Sequence, residues 1–308
     1  MGRGYNPAHP VNLMQGVDHY ENFPVASWLC PPALRPPIVA IYRFARTADD
    51  LADEGNAPAP QRLAALQTYR AELDRACAAP LPPPPGRWPE VFGPLAVQIQ
   101  RHALPAQWLH ALLDAFEQDV RYTAEGLRYP DMPALLDYCS RSANPVGRLL
   151  LHLYGVSDPA AWRQSDAICS ALQLINFWQD LRIDLSRQRH YLPTECLHRH
   201  GVDEATLQAG RPCPPAEAMV LELSAHARAL MRQGAPLARR LPGRVGWELR
   251  LVVQGGLRIL DKIDSLDGRT WQQRPRLTAA DVPLLLWRAW RRPAALPPSQ
   301  AHTDETRS

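Results

Sequence analysis

Nine stretches of this chain, at 37–54, 61–78, 88–102, 105–122, 132–141, 146–154, 160–186, 216–232 and 245–266, space their apolar residues three and four apart. Almost nothing alternates with a period of two. That pattern leaves helices and little room for a sheet. Leu, Ala, Arg and Gln, all good helix formers, dominate the stretches, and short connections bearing Pro or Gly part them. Asp131 before Met132-Pro133 and Asp158 before Pro159 have the form of helix N-caps. The proline-rich run at 80–85 cannot continue a helix and reads as a surface loop, not a domain boundary. The expected fold is all-α, a single helical bundle. Residues 1–18 form an N-terminal extension, 19–270 the bundle, and 271–308 an Arg-, Trp- and Pro-rich C-terminal segment whose polar end is expected to be disordered.

Two of the expected helices are acidic in a patterned way. Asp49 and Asp53 fall on one helical face with Asp50 beside them, and Asn176, Asp180 and Asp184 form a stripe one turn apart. Facing each other, such helices would line a cleft with oxygen. Magnesium prefers octahedral oxygen ligands, keeps several waters, and is commonly held by one or two carboxylates together with substrate phosphates. Sparse carboxylate stripes suit that ion better than a closed cage would. Either stripe alone could equally be a solvated helix face, and Arg46 could simply pair with Asp50 across one turn.

Composition removes other classes. The formal net charge is only +3 and no basic-rich domain is present, so no nucleic-acid partner is expected. Six scattered cysteines without a Cys-x-x-Cys pair indicate neither a zinc site nor a disulfide framework, and read as reduced thiols without catalytic role. No apolar run approaches the roughly 18 residues of a membrane span, and the first 15 residues lack a signal-peptide core. The expected location is cytoplasmic, soluble or peripheral at the inner membrane. The segment 284–292, Leu-Leu-Leu-Trp-Arg-Ala-Trp-Arg-Arg, could rest at a membrane interface or cover the bundle as a terminal helix.

The residues around the acidic stripes carry a family likeness. Tyr42, Arg46, Asp49, Asp50 and Asp53 stand in the order Tyr-x-x-x-Arg-x-x-Asp-Asp-x-x-Asp. Gln173 precedes Asn176 by one turn, Arg189-His190-Tyr191-Leu192-Pro193 follows Asp184, and Tyr138-Cys139-Ser140-Arg141-Ser142-Ala143-Asn144-Pro145-Val146-Gly147-Arg148 lies between. In these motifs the chain resembles the squalene and phytoene synthase family from about residue 18 to about residue 265. The resemblance implies an isoprenoid synthase helical bundle with a central cavity, and an enzyme that ionises an isoprenyl diphosphate with Mg2+, the number of ions being open. Strings at 21–27, 46–54, 142–147 and 255–260 are similar to members that convert presqualene diphosphate to hydroxysqualene in squalene and hopanoid biosynthesis, releasing diphosphate and capturing water.

On that implication Asp49, Asp50, Asp53, Asn176, Asp180 and Asp184 hold the metal, and Arg46 and Arg189 grip the diphosphate. Tyr42 and Tyr191 donate hydrogen bonds to it, and Ser27, Tyr138 and Gln173 complete the substrate site. Asp119 matches a place where the family lines its cavity. Phe23, Phe44, Leu174 and Phe177 are the expected wall around the carbocation. No NADPH is expected, because water ends the reaction. Other hopanoid-pathway enzymes are conceivable partners. Two alternatives stand: a head-to-head prenyl synthase making presqualene diphosphate, squalene or phytoene, and a noncatalytic isoprenoid-binding or assembly protein.

Overall fold

A computed structural model describes residues 30–78 and 86–291. Ser27, Phe23, the N-terminal extension, the proline-rich run at 80–85 and the end of the C-terminal segment lie outside the described residues. Every regular element among the described residues is helical, as expected. The chain runs through α1 (Arg35–Asp53), α2 (Ala59–Ala78), α3 (Pro89–His102), α4 (Ala106–Glu125), α5 (Met132–Ser142), α6 (Asn144–Leu153) and α7 (Pro159–Gln179). It continues through the short α8 (Leu181–Ser186), α9 (Thr194–His200) and α10 (Glu204–Gln208), then α11 (Pro214–Gly234), α12 (Leu237–Arg240), α13 (Gly243–Ser265) and α14 (Val282–Trp290).

Local chemistry sets several of these boundaries. The Asp131 carboxylate accepts the Ala134 amide at 2.8 Å, and Asp158 accepts those of Ala160 and Ala161 at 3.2 and 3.1 Å, so both predicted N-caps are made. One expectation needs correction. The helix predicted over 160–186 is two helices, because the backbone leaves helical ψ at Asp180 (φ −102°, ψ 13°). Asp180 N–H still donates to Asn176 O at 2.8 Å and Asp184 N–H to Asp180 O at 3.0 Å, so the spacing of the acidic stripe survives the break.

The apolar interior has two parts. Around α1 to α4, Phe44 stacks on Tyr69 with centroids 5.3 Å apart, and the Tyr69 hydroxyl donates to Phe44 O at 3.0 Å. Around α5, α7, α9, α11 and α13 lie Trp178, Leu174, Met219, Leu223 and Leu260. Buried residues occur on every side of α7, including Gln173, Leu174, Ile175, Phe177, Trp178 and Gln179 in near succession, as in a helix enclosed by its neighbours. α7 is therefore the central helix, and its C-terminal end faces the C-terminal end of α1 across a cleft.

The chain after α13 folds back over this end of α7. Trp271 is fully buried and donates through Nε1 to Arg211 O at 2.9 Å, and Gln179 donates to Pro275 O at 2.7 Å. The sole lysine, Lys262, joins Arg258 on the buried carboxylate of Asp281 at 2.6 and 2.7 Å. This strap leads into α14. There Ala289 is buried and Arg288 pairs with Asp261 at 2.8 Å, while Leu286, Trp287 and Trp290 stay exposed. Among the described residues no helix is long and apolar enough to cross a membrane.

The packing of α11 on α7 depends on a missing side chain. A Cβ on Gly234 would stand 2.5 Å from Gln164 O and from Ile168 Cγ1, whereas one on Gly255 of α13 would meet only Leu277 Cδ1, at an ordinary contact distance of 3.6 Å. Gly234→Ala should therefore cost about 1–3 kcal/mol and lower the thermal midpoint. Gly255→Ala should raise it through the roughly 0.8–1 kcal/mol difference in helix propensity. Melting curves of the two variants, which should move in opposite directions, check this.

Candidate active site

Between the ends of α1 and α7 lies a polar cleft of about 690 Å3. Beside it an apolar cavity of about 200 Å3 runs inward between α1, α6, α7 and α13, and Arg46, Asp49, Phe116, Gln173 and Asn176 line both spaces. The two acidic stripes, far apart in sequence, thus stand in one cleft. Asp49, Asp50 and Asp53 reach it from α1, and Asn176, Asp180 and Asp184 from α7 and α8.

The carboxylates are held by guanidinium groups. Arg46 spans its own helix face, 3.1 Å from Asp49 Oδ2, 2.9 Å from Asp50 Oδ1 and 3.1 Å from Glu54 Oε1. The routine pairing with Asp50 is made, and Arg46 also stands where the two spaces meet. Arg189 crosses from the segment after α8 to pair with Asp53, closing the cleft's far end. Arg274 from the strap grips both oxygens of Asp180, with Nη2 3.0 Å from Oδ2, while Asn176 Nδ2 stands 3.5 Å from the same oxygen. Sequence reasoning missed Arg274, because it lies beyond the recognisable motifs in a segment where arginine is too common to single out one.

The tyrosines divide. Tyr42 lines the apolar cavity and not the polar cleft. Tyr138 and Tyr191 line the polar cleft, where both hydroxyls donate to Asp119, at 2.6 and 3.3 Å. The Tyr191 ring stacks on Phe177 with centroids 3.8 Å apart. Phe44 and Leu174 are not wall residues, since neither lines either space and both pack in the interior. At about 100° per residue Phe44 lies some 200° round α1 from Arg46, on the face turned to α2 and α3. The wall at the junction is instead Phe116 of α4, continued inward by Ile41, Leu112, Val146, Leu150 and Leu172. Nothing marked Phe116 in sequence, since its spacing is that of any core aromatic.

Charge in the cleft is unbalanced. Seven carboxylates (Asp49, Asp50, Asp53, Glu54, Asp119, Asp180 and Asp184) line it against four guanidiniums (Arg46, Arg62, Arg187 and Arg189). Burial pushes Asp184 up to about 8, with Arg189 pulling the other way, and burial with repulsion from Asp53 pushes Asp49 up to about 6. Among the described residues the Asp184 carboxylate has no hydrogen bond or ion pair. A half-buried, unpaired carboxylate facing other carboxylates fits a cation ligand. No three of these acids already converge on one point among the described residues. Each helix offers one or two oxygens at a time, which suits magnesium, an ion that draws its remaining ligands from water and phosphate.

The family profile described as squalene/phytoene synthase matches residues 17–281. A hydroxysqualene synthase of Sinorhizobium fredii is 33% identical over 272 residues, covering 86% of both chains. Another from Rhodopseudomonas palustris is 34% identical over 262 residues, covering 83% of this chain and 84% of that protein. Among solved structures, squalene synthase HpnC from Alicyclobacillus acidocaldarius superposes with a TM-score of 0.71 at 35% identity, over 81% of this chain and 90% of its own. Motifs, helical architecture and these likenesses agree: the chain belongs to the squalene/phytoene synthase family and is an enzyme with the all-α isoprenoid synthase fold.

Proposed function

We propose that this enzyme converts presqualene diphosphate to hydroxysqualene with Mg2+, by ionising the diphosphate and letting water capture the cation, as a step of squalene and hopanoid formation. The observation that carries the reading is the junction at Arg46, Asp49, Gln173 and Asn176 of an acid-rich cleft with a cavity walled by aliphatic side chains. One end suits a diphosphate and the other its hydrocarbon chains. The hydroxysqualene synthases at 33 and 34% identity support the choice of substrate and product.

A diphosphate would not enter seven carboxylates unaided. Asp49, Asp50, Asp53, Asn176, Asp180 and Asp184 would hold Mg2+, which when bound neutralises the charge that develops on the departing diphosphate. Arg46 and Arg189, already at the cleft's two ends, would turn part of their hydrogen bonding from carboxylate to phosphate oxygens. Phe116, Phe177 and the aliphatic wall exclude bulk water, so that the cation meets only an admitted molecule. The exposed Leu286, Trp287 and Trp290, with Arg291 over the Trp287 ring at 4.1 Å, support a peripheral membrane contact that would receive a water-insoluble product.

Purified protein with Mg2+ and presqualene diphosphate should yield hydroxysqualene. Turnover of farnesyl diphosphate alone, with presqualene diphosphate untouched, would instead favour head-to-head condensation. Asp50→Asn and Asp180→Asn should each slow diphosphate release by about 100-fold or more while leaving the helical circular dichroism intact. Wild-type rates in both variants would refute the ligand assignment.

The raised carboxylates make metal binding proton-linked. Asp184 at about 8 and Asp49 at about 6 lie above the ordinary value near 3.9, so the folded protein stripped of divalent ions holds protons that the unfolded chain gives up. That contribution to stability is full below about pH 4 and fades as pH rises through 6 and then 8. Calorimetric titration of Mg2+ with inorganic diphosphate at pH 7, in buffers of different ionisation enthalpy, should show net proton release from the protein. Release equal to that of diphosphate titrated without protein would contradict the assignment.

A further inference from the structure

Asp119 belongs to neither acidic stripe. It reaches the polar cleft from α4, and its two oxygens are engaged by phenols: Tyr138 of α5 donates to Oδ2 at 2.6 Å, and Tyr191, from the segment after α8, donates to Oδ1 at 3.3 Å. The other well-held carboxylates of the cleft are tied to guanidiniums, Asp49 and Asp50 to Arg46, Asp53 to Arg189 and Asp180 to Arg274. Asp119 is tied to hydroxyls. A phenol that gives its proton to a carboxylate turns its oxygen into an acceptor toward any further partner. Two such phenols, with ring centroids 6.0 Å apart and the Phe177 face stacked on one of them, make a wall that can accept a water's protons and leave its oxygen aimed into the cleft.

The reaction proposed above needs such a place, and this inference rests on that reading. When water adds to the cation, a C–O bond forms and the oxonium must shed one proton. We infer that Asp119 is the positioning residue for this capture: it turns the Tyr138 and Tyr191 hydroxyls toward itself, so that their oxygens hold the water, and it takes up the released proton through Tyr138. The proton passes from water to the Tyr138 oxygen as the Tyr138 proton passes to Asp119 Oδ2, so charge and atoms balance without a further reactant. The surroundings agree. Burial raises Asp119 to about 7, the Tyr138 and Tyr191 hydrogen bonds and Arg189 pull it down, and Asp53 pushes it up. Asp184, whose own carboxyl Asp119 helps to raise, faces it from α8.

Asp119→Asn tests this, because the amide keeps the volume and an acceptor for one phenol yet cannot take a proton. With Mg2+ and presqualene diphosphate, the variant should release diphosphate within a few-fold of wild type. Its ratio of alcohol to elimination hydrocarbons should fall about 10-fold or more, with a flattened pH dependence. Asp119→Glu should restore part of the alcohol. An unchanged product ratio and pH profile in Asp119→Asn would overturn the inference, and so would an equal loss of diphosphate release and alcohol, the mark of a merely structural role. Should Asp119→Asn fail to fold, Tyr138→Phe, which keeps the carboxylate and removes the relay, must show the same shift in products, and a wild-type ratio there would overturn it. Wild-type protein that forms no alcohol from presqualene diphosphate would instead overturn the reading of function beneath it.

Discussion

Carboxylates crowded into one half-buried cleft repel one another, and the way this fold tolerates them organises the end of the bundle to which the proposed chemistry is assigned. Two like charges 4 Å apart cost about 4 kcal/mol at an effective dielectric near 20. The protein offsets this in three ways. Guanidiniums pair with acids, from the same helix at Arg46, from the segment after α8 at Arg189 and from the strap at Arg274. Phenols satisfy Asp119. The remainder is met by protons, which burial keeps on Asp184 well into the neutral range. Each device can be exchanged for a cation or a phosphate oxygen, so the same arrangement that holds the cleft together suits it to a charged ligand.

Adjoining this polar end, the apolar cavity divides the labour between two kinds of surface. Long, neutral chains need only aliphatic walls, supplied by Ile41, Leu112, Val146, Leu150 and Leu172, whereas the leaving group needs oxygen ligands and guanidiniums. Gln173 and Asn176, one turn apart on the central helix, stand at the boundary with Arg46 and Asp49 opposite. α7 can carry both roles because, beyond its exposed first turn, it is enclosed by its neighbours, and Gln173 and Asn176 on its later turns line both spaces.

Much of this was legible from residue spacing. Helical period and Asp caps located the long helices and spacing alone the acidic stripes, while the family resemblance added Arg46, Gln173, Arg189 and Tyr191, which the fold brings into the same cleft. What escaped depends on tertiary contact. The break at Asp180 leaves no local signature such as Gly or Pro. Arg274 acquires its place only because Trp271 buries and turns the chain back over α7. Tyr42 and Phe44, two residues apart, separate into cavity and core because about 200° of helix lies between them. The short helices α8 to α10 span too few turns for a periodic signal to accumulate.

The central claim is that the cleft ionises an allylic or cyclopropylcarbinyl diphosphate at carbon and that water, not the departing oxygen, completes the product. Turnover of presqualene diphosphate in 18O-enriched water, followed by mass spectrometry of the alcohol and of the released diphosphate, tests it directly. The account predicts heavy oxygen in the hydroxyl of the product and none in the diphosphate. Heavy oxygen in the diphosphate with an unlabelled alcohol would mean cleavage at phosphorus, and would contradict it.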